Sequence, residues 1–157
     1  MRVVVFSDTH GCITKCIKVI DSIKNIDMII HLGDILKDVE DLKNLYPNIP
    51  IEYIMGNNDF FAQVPKDKII TVQDKKIWIT HGHLYRVKHE YQTILEKAKE
   101  RNVDGVLFGH THEEYYKQYD DIFMLNPGST TIPTNGDPSY GVIEIEDGKM
   151  GVSICTL

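Results

Sequence analysis

Five short apolar runs in this chain are each followed, within a few residues, by side chains able to hold a metal ion. Val3-Val4-Val5-Phe6 leads to Asp8 and His10, and Met28-Ile29-Ile30 runs through His31-Leu32-Gly33 to Asp34. Ile51 to Met55 leads through Gly56 to Asn57, Ile77 to Thr80 leads to His81, and Val106-Leu107-Phe108-Gly109 leads to His110 and His112. Apolar runs this short and this continuous read as strands buried on both faces, as in parallel sheets. Ile13, Cys16, Ile17, Ile20 and Ile23 recur at helical spacing after the first run, and Val39, Leu42 and Leu45 do so before the third. The opening is therefore βαβαβ with parallel strands. In an open α/β sheet the ligand crevice lies beyond the carboxyl ends of the strands, so the polar residues at the ends of these runs converge on one rim.

The rest of the chain predicts a hairpin, with Ile69 to Val72 and Ile77 to Thr80 around Asp74-Lys75-Lys76, and a third helix bearing Tyr91, Ile94, Leu95 and Ala98. Tyr115 to Tyr119, Ile122 to Leu125, Tyr140 to Ile145 and Met150 to Cys155 are strand-like. Two packed sheets with helices outside are expected. At 157 residues, with 42% hydrophobic and 25% charged content, and with no repeat or linker, residues 1–157 read as one globular domain. The net charge of −6 disfavours a nucleic-acid partner held through its phosphates. No apolar run approaches the ~20 residues that span a bilayer, and Met1-Arg2 enters a strand pattern without signal-peptide architecture, so a cytoplasmic location is expected. Cys12, Cys16 and Cys155 make no CxxC pair and read as buried thiols in a reducing compartment.

Two Asp, four His and one Asn gathered on one rim would repel one another and compete for partners unless a cation held them. Seven oxygen and nitrogen donors exceed the four of a closed zinc site and include no thiolate, which suits two open-sided divalent ions sharing a carboxylate. Such pairs of ions catalyse in-line displacement at phosphorus, so hydrolysis of a phosphate ester is the leading chemistry.

Asp8-Thr9-His10, Gly33-Asp34, Gly56-Asn57-Asn58-Asp59, His81 and Gly109-His110-Thr111-His112 resemble, in order, the DxH, GD, GNH(D/E), H and GHxH motifs of the calcineurin-like metallophosphoesterases. The short chain and its Asn-Asp after Gly-Asn look like the small YfcE-type phosphodiesterase branch. The resemblance implies an α/β four-layer αββα sandwich with two mixed β-sheets. It implies that Asp8, His10 and His112 bind one ion, that Asn57, His81 and His110 bind the other, and that Asp34 bridges them, with a water between the ions losing a proton to become the nucleophile. The ions would be divalent transition metals, manganese or nickel, with iron, cobalt or zinc as alternatives, and the partner a small-molecule phosphate ester. The alternative function on the same fold is a non-catalytic protein-binding scaffold like the retromer subunit, against which the filled ligand positions argue.

Where larger relatives carry His, this chain has Asn58, an amide that can donate to a phosphoryl oxygen but cannot protonate a leaving group. Activated esters such as nitrophenyl diesters should then be the better substrates. Asp59 either steadies its neighbour or caps the next segment, and His83 either contacts substrate or orients a ligand or stands as a solvent-exposed loop residue. His31, inside an apolar run, reads as a hydrogen-bonded interior histidine, and His89 as a surface one. Asn126-Pro127-Gly128-Ser129 reads as a turn, with a rim role as the alternative, and Lys66, Lys68, Lys75 and Lys76 as a solvated hairpin. Phe60-Phe61 and Tyr115-Tyr116 read as core or as a self-association surface, which would make a homo-oligomer.

Overall fold

The apolar runs pair as their pattern predicts. In this computed structural model, which describes residues 1–60 and 62–157, β1 (Arg2–Phe6), β2 (Met28–His31) and β3 (Ile51–Tyr53) run parallel. The crossovers are α1 (Thr14–Ser22) and α2 (Leu36–Leu45). The hairpin of β4 (Asp67–Val72) and β5 (Lys75–Thr80) then opens a second sheet. Its turn is tighter than expected: Gln73 takes a φ of 55° and Lys75 already pairs with Val72, so Lys75 and Lys76 belong to the strand.

From β5 a short 3₁₀ turn (His83–Tyr85) and α3 (Gln92–Arg101) lead to β6 (Gly105–Leu107), parallel to β5. The pair β7 (Glu114–Tyr119) and β8 (Ile122–Pro127) completes that sheet in the order β4-β5-β6-β8-β7. The chain returns to the first sheet with β9 (Ser139–Glu146), antiparallel to β1, and β10 (Lys149–Thr156), giving β10-β9-β1-β2-β3.

Alternation along the strands decides what each face buries. Val3, Val5, Ile30, Leu32, Ile143 and Ile145 of the first sheet meet Ile77, Ile79, Leu107, Phe123 and Leu125 of the second. The opposite face of the first sheet, with Val4, Phe6 and Ile29, packs under Cys16, Val19 and Ile20 of α1 and Leu42 of α2. The outer face of the second sheet, with Trp78, Val106 and Met124, packs under Ile94, Leu95 and Ala98 of α3. The architecture is a four-layer αββα sandwich of two mixed sheets.

Three local expectations are corrected or refined. Cys12 is exposed and Cys155 only partly covered, because one lies in the loop ahead of α1 and the other on an edge strand; Cys16 alone is the buried thiol, and all three are free. Leu45 ends α2 with its side chain mostly in solvent. Tyr115 does pack inward, its ring 4.3 Å from that of Tyr91, whereas Phe60 and Tyr116 face solvent and Phe61 lies outside the described residues. No helix among the described residues is long and apolar enough to cross a membrane.

Candidate metal centre

The loops that leave β1, β2, β3, β5 and β6 meet on one rim, and they do so at the cost of backbone strain. Asp8, His10, Asp34, Ile35, His110 and His112 all have positive φ, between 47° and 73°. Non-glycine residues adopt that region at a cost and tend to do so at functional sites. The glycines of the same loops allow close approach. A Cβ on Gly56 would collide with the Asp34 carboxylate, and one on Gly109 would collide with Ser7 Oγ.

Asp8 is fully buried. Its Oδ2 accepts from Ser7 Oγ at 2.5 Å and from the His110 backbone N–H at 3.0 Å. Its Oδ1 is buried with no hydrogen-bond donor aimed at it, although three ring nitrogens surround it: His112 Nε2 at 3.2 Å, His81 Nε2 at 3.8 Å and His10 Nε2 at 3.9 Å. Burial pushes the Asp8 carboxyl pKa up, but the Ser7 hydroxyl and, when they carry a proton, His112 and His81 outweigh it and hold the group below its ordinary value. The carboxylate is the form that persists.

The histidines present lone pairs to this point. The Leu32 carbonyl can only accept, so His81 Nδ1 donates to it at 2.8 Å. In the neutral ring that leaves Nε2 as an acceptor, facing Asn57 Oδ1 at 3.0 Å and Asp34 Oδ1 at 3.5 Å. His112 Nδ1 likewise donates to the Ile132 carbonyl at 3.0 Å, and its Nε2 stands 3.2 Å from His10 Nε2. Burial first, then His81, lowers the His110 pKa to about 4, so that ring is neutral at physiological pH. Acceptors facing acceptors in a buried space are mutually repulsive unless a cation lies between them. This donor set fits a divalent metal. Asp8, His10, Asp34 and His112 offer ligand atoms all within 4.8 Å of one another, while His81 pairs with Asn57 and sets its ring 5.1 Å from that of His110.

Asp34 stands between the two groups, with Oδ2 3.6 Å from His10 Nε2 and Oδ1 3.5 Å from His81 Nε2. Asn58 holds it there: its backbone N–H donates to Oδ1 at 3.0 Å and its amide Nδ2 to Oδ2 at 2.6 Å. Asp59 does not turn toward Asn58. Its carboxylate accepts the backbone N–H groups of Gly56 at 2.8 Å, Asp34 at 3.1 Å and Leu36 at 2.8 Å, tying the β3 loop to the β2 loop. His83 lies beside the cluster, its ring 5.4 Å from His81 and 6.0 Å from His110, with Nδ1 buried and without a partner. Burial, reinforced by His81, lowers its pKa.

Other supporting residues carry little local signal in the sequence. His31 Nδ1 accepts the Gly33 N–H, so its Nε2 donates to Thr9 Oγ1 at 3.0 Å, and Thr9 donates to Asp38 Oδ2 at 2.6 Å. Asp38 also accepts the Gly11 N–H at 2.8 Å, so α2 grips the loop that carries Asp8 and His10. The end of β8, to which Asn126 belongs, and the turn after it form a clamp. Asn126 Nδ2 donates to the Gly109 carbonyl at 3.0 Å and Ser129 Oγ to the Asp8 carbonyl at 2.8 Å. The sequence hint is the polar run Asn126-Pro127-Gly128-Ser129, but its partners lie up to 121 positions away.

A family profile described as calcineurin-like phosphoesterase superfamily domain matches residues 1–148. A phosphodiesterase of Methanocaldococcus jannaschii is 31% identical over 165 residues, covering 93% of this chain and 94% of that protein. A solved structure from Streptococcus pneumoniae, described as a predicted phosphoesterase, superposes with a TM-score of 0.82 at 30% identity, over 99% of this chain and 88% of that one. Zinc-complexed Vps29 from Entamoeba histolytica shares the fold, with a TM-score of 0.80 at 21% identity over 99% of each chain.

Proposed function

The chain belongs to the calcineurin-like phosphoesterase superfamily, a family of metal-dependent phosphoesterases, and from that membership we propose that it hydrolyses a small phosphate ester at a centre for two divalent ions. Asp8, His10 and His112 would hold one ion, Asn57, His81 and His110 the other, and Asp34 would serve both. The observation that carries this reading is the buried Asp8 Oδ1, surrounded by three ring nitrogens with no donor aimed at it. Manganese and nickel are the ions we propose first, since imidazole and carboxylate oxygen suit both.

When bound, a pair of divalent ions acidifies water to near-neutral pKa and draws charge from the phosphoryl oxygens. The chain's own contribution is orientation. The Leu32 and Ile132 carbonyls fix the tautomers of His81 and His112, so their Nε2 lone pairs point into the centre. Asn58 aligns both oxygens of Asp34 and, being an exposed amide at the rim, can turn to donate to a phosphoryl oxygen as charge builds there. With no imidazole at that position to deliver a proton, esters with good leaving groups should react fastest. His83, whose pKa burial lowers, would contact a substrate oxygen from the β5 side.

The test is a screen of chelator-stripped protein, pairing single divalent ions with nitrophenyl monoester, nitrophenyl diester and cyclic nucleotides. Hydrolysis should appear only with added ion, with two ions per chain by elemental analysis and an unfolding temperature raised by several degrees, as expected when a ligand binds only the folded state. Activity that survives stripping, or saturation at a single ion, would sink the two-ion proposal. Metal uptake without hydrolysis of any ester would favour a protein-binding scaffold instead.

A further inference from the structure

Beyond His83 and His110 the rim opens into a cavity of about 240 Å³ lined by His83, Arg86, Val87, Lys88, His89 and His110. It shares Val87, Lys88 and His89 with a second cavity of about 510 Å³ that continues to Tyr91, Glu113 and Thr134. The polar side chains of the smaller cavity all end in nitrogen, in a chain whose net charge is −6. Neither Arg86 nor Lys88 is in an ion pair among the described residues. The two acids of the larger cavity, Glu90 and Glu113, are hydrogen-bonded elsewhere. Glu90 accepts from Thr93 N at 2.9 Å and from Thr93 Oγ1 at 2.5 Å, and Glu113 accepts from Asn135 at 2.8 Å.

The segment that carries these cations is anchored. Gly82 and Arg86, with φ of 98° and 58°, bracket the 3₁₀ turn, and Val87 is buried. Tyr85 donates to Asp67 Oδ2 at 2.5 Å and sets its ring 4.9 Å from that of Trp78. Arg86 and Lys88 therefore stand on a fixed base at the mouth of the candidate centre. Lys88 and His110 line the same cavity, so the ammonium stands beside the candidate centre.

We propose that Arg86 and Lys88 form a subsite for a second phosphoryl group, so that the preferred substrate is a phosphate ester carrying another phosphate on the arm that lies over His83 and His110. The inference rests on the hydrolase reading for the direction in which the ester lies. A guanidinium and an ammonium lining one cavity match a phosphate dianion, and the acidic far end of the larger cavity confines that group to the smaller one.

The test uses two matched pairs. In binding, thymidine 3′,5′-bisphosphate and thymidine 5′-monophosphate are titrated calorimetrically into metal-stripped and metal-loaded protein. In turnover, the p-nitrophenyl ester of thymidine 5′-phosphate is compared with its 3′-phosphorylated counterpart. The extra phosphate should improve affinity and kcat/KM by about fivefold or more, and the Arg86→Gln/Lys88→Gln double variant should lose most of that advantage. Arg86 and Lys88 are both exposed, so the double variant should fold, and its unfolding temperature checks that it does. Equal behaviour within each pair, no measurable binding of the bisphosphate at millimolar concentration, or an advantage that survives in the variant overturns the subsite. If neither ester is hydrolysed with any ion while the calorimetric preference holds and depends on Arg86 and Lys88, the hydrolase reading falls and the subsite stands.

Discussion

The two ends of the sheets each hold a charged cavity, yet they differ in kind. At the end away from the candidate centre, about 490 Å³ is lined by Asp74, Lys76, Lys99, Asp104, Tyr119 and Asp121 among others. Its charges have local work: Asp104 accepts the Lys76 N–H at 2.7 Å and lies 3.9 Å from Lys75 Nζ. Positive φ there falls on turn residues such as Gln73, Asn102 and Asp120. At the other end, buried acceptors face one another, and the strained residues include five of the candidate ligands, Asp8, His10, Asp34, His110 and His112. Cavity size therefore does not separate the two ends. Unsatisfied buried acceptors, together with strain on the residues that supply them, do.

The widest gap between the ends should appear in catalysis. Asp34→Asn removes charge at the point shared by both ligand groups, whereas Asp104→Asn leaves that rim untouched. Turnover of a nitrophenyl diester should fall by roughly a thousandfold in the first, on the scale of lost electrostatic stabilisation at a reacting centre, and by less than about twofold in the second. Similar losses in the two folded variants would erase the distinction.

Stability sharpens it next. Asp59→Ala strips three backbone N–H groups of their acceptor in two ligand loops, and Asp104→Ala strips one at an exposed strand end. Urea unfolding of metal-stripped protein should show a loss of about 3 kcal/mol for the first and under about 1 kcal/mol for the second. A loss at Asp59 no larger than at Asp104 would mean that the loops hold their shape without it.

The smallest effect is a slope. Burial lowers the pKa of His31 from 6.5 to about 4, and among the described residues no histidine lines the opposite cavity. The unfolded chain takes up a proton on this ring near pH 6.5, while the folded chain resists until about pH 4. Stability from this group is thus complete above pH 6.5 and is lost as pH falls toward 4, by at most about 1.4 kcal/mol per unit. Between those limits the urea midpoint of metal-stripped wild type should drop more steeply with acid than that of His31→Gln. Parallel slopes would show that His31 is not held neutral.

The ligand rim and the βαβαβ opening were legible because both depend on local order. A continuous apolar run reports burial on both faces, a three-to-four-residue period reports a helix, and a polar residue after either must leave the sheet at its edge. Asp8, Asp34, Asn57, His81 and His110 each announce themselves in this way from their own few neighbours. The close approach of Gly56 to Asp34 and of Gly109 to Ser7 gives the glycines in those runs their reason, although the sequence marks only that a glycine is present.

Packing decided the remainder. Asp59 reads locally either as a companion of Asn58 or as a cap for the next segment, and the stacking of the β2 and β3 loops turns its carboxylate to three backbone donors, two of them in the β2 loop and the start of α2. The coupling of His31 through Thr9 to Asp38, the grip of Ser129 on Asp8 and the approach of Lys88 to His110 join residues from different elements. Exposure of Cys12 and Leu45, in side chains apolar enough to be buried, also stems from where the loop and the helix end come to lie. Such contacts depend on the register and separation of two sheets, and no periodicity within a single segment encodes the position of another.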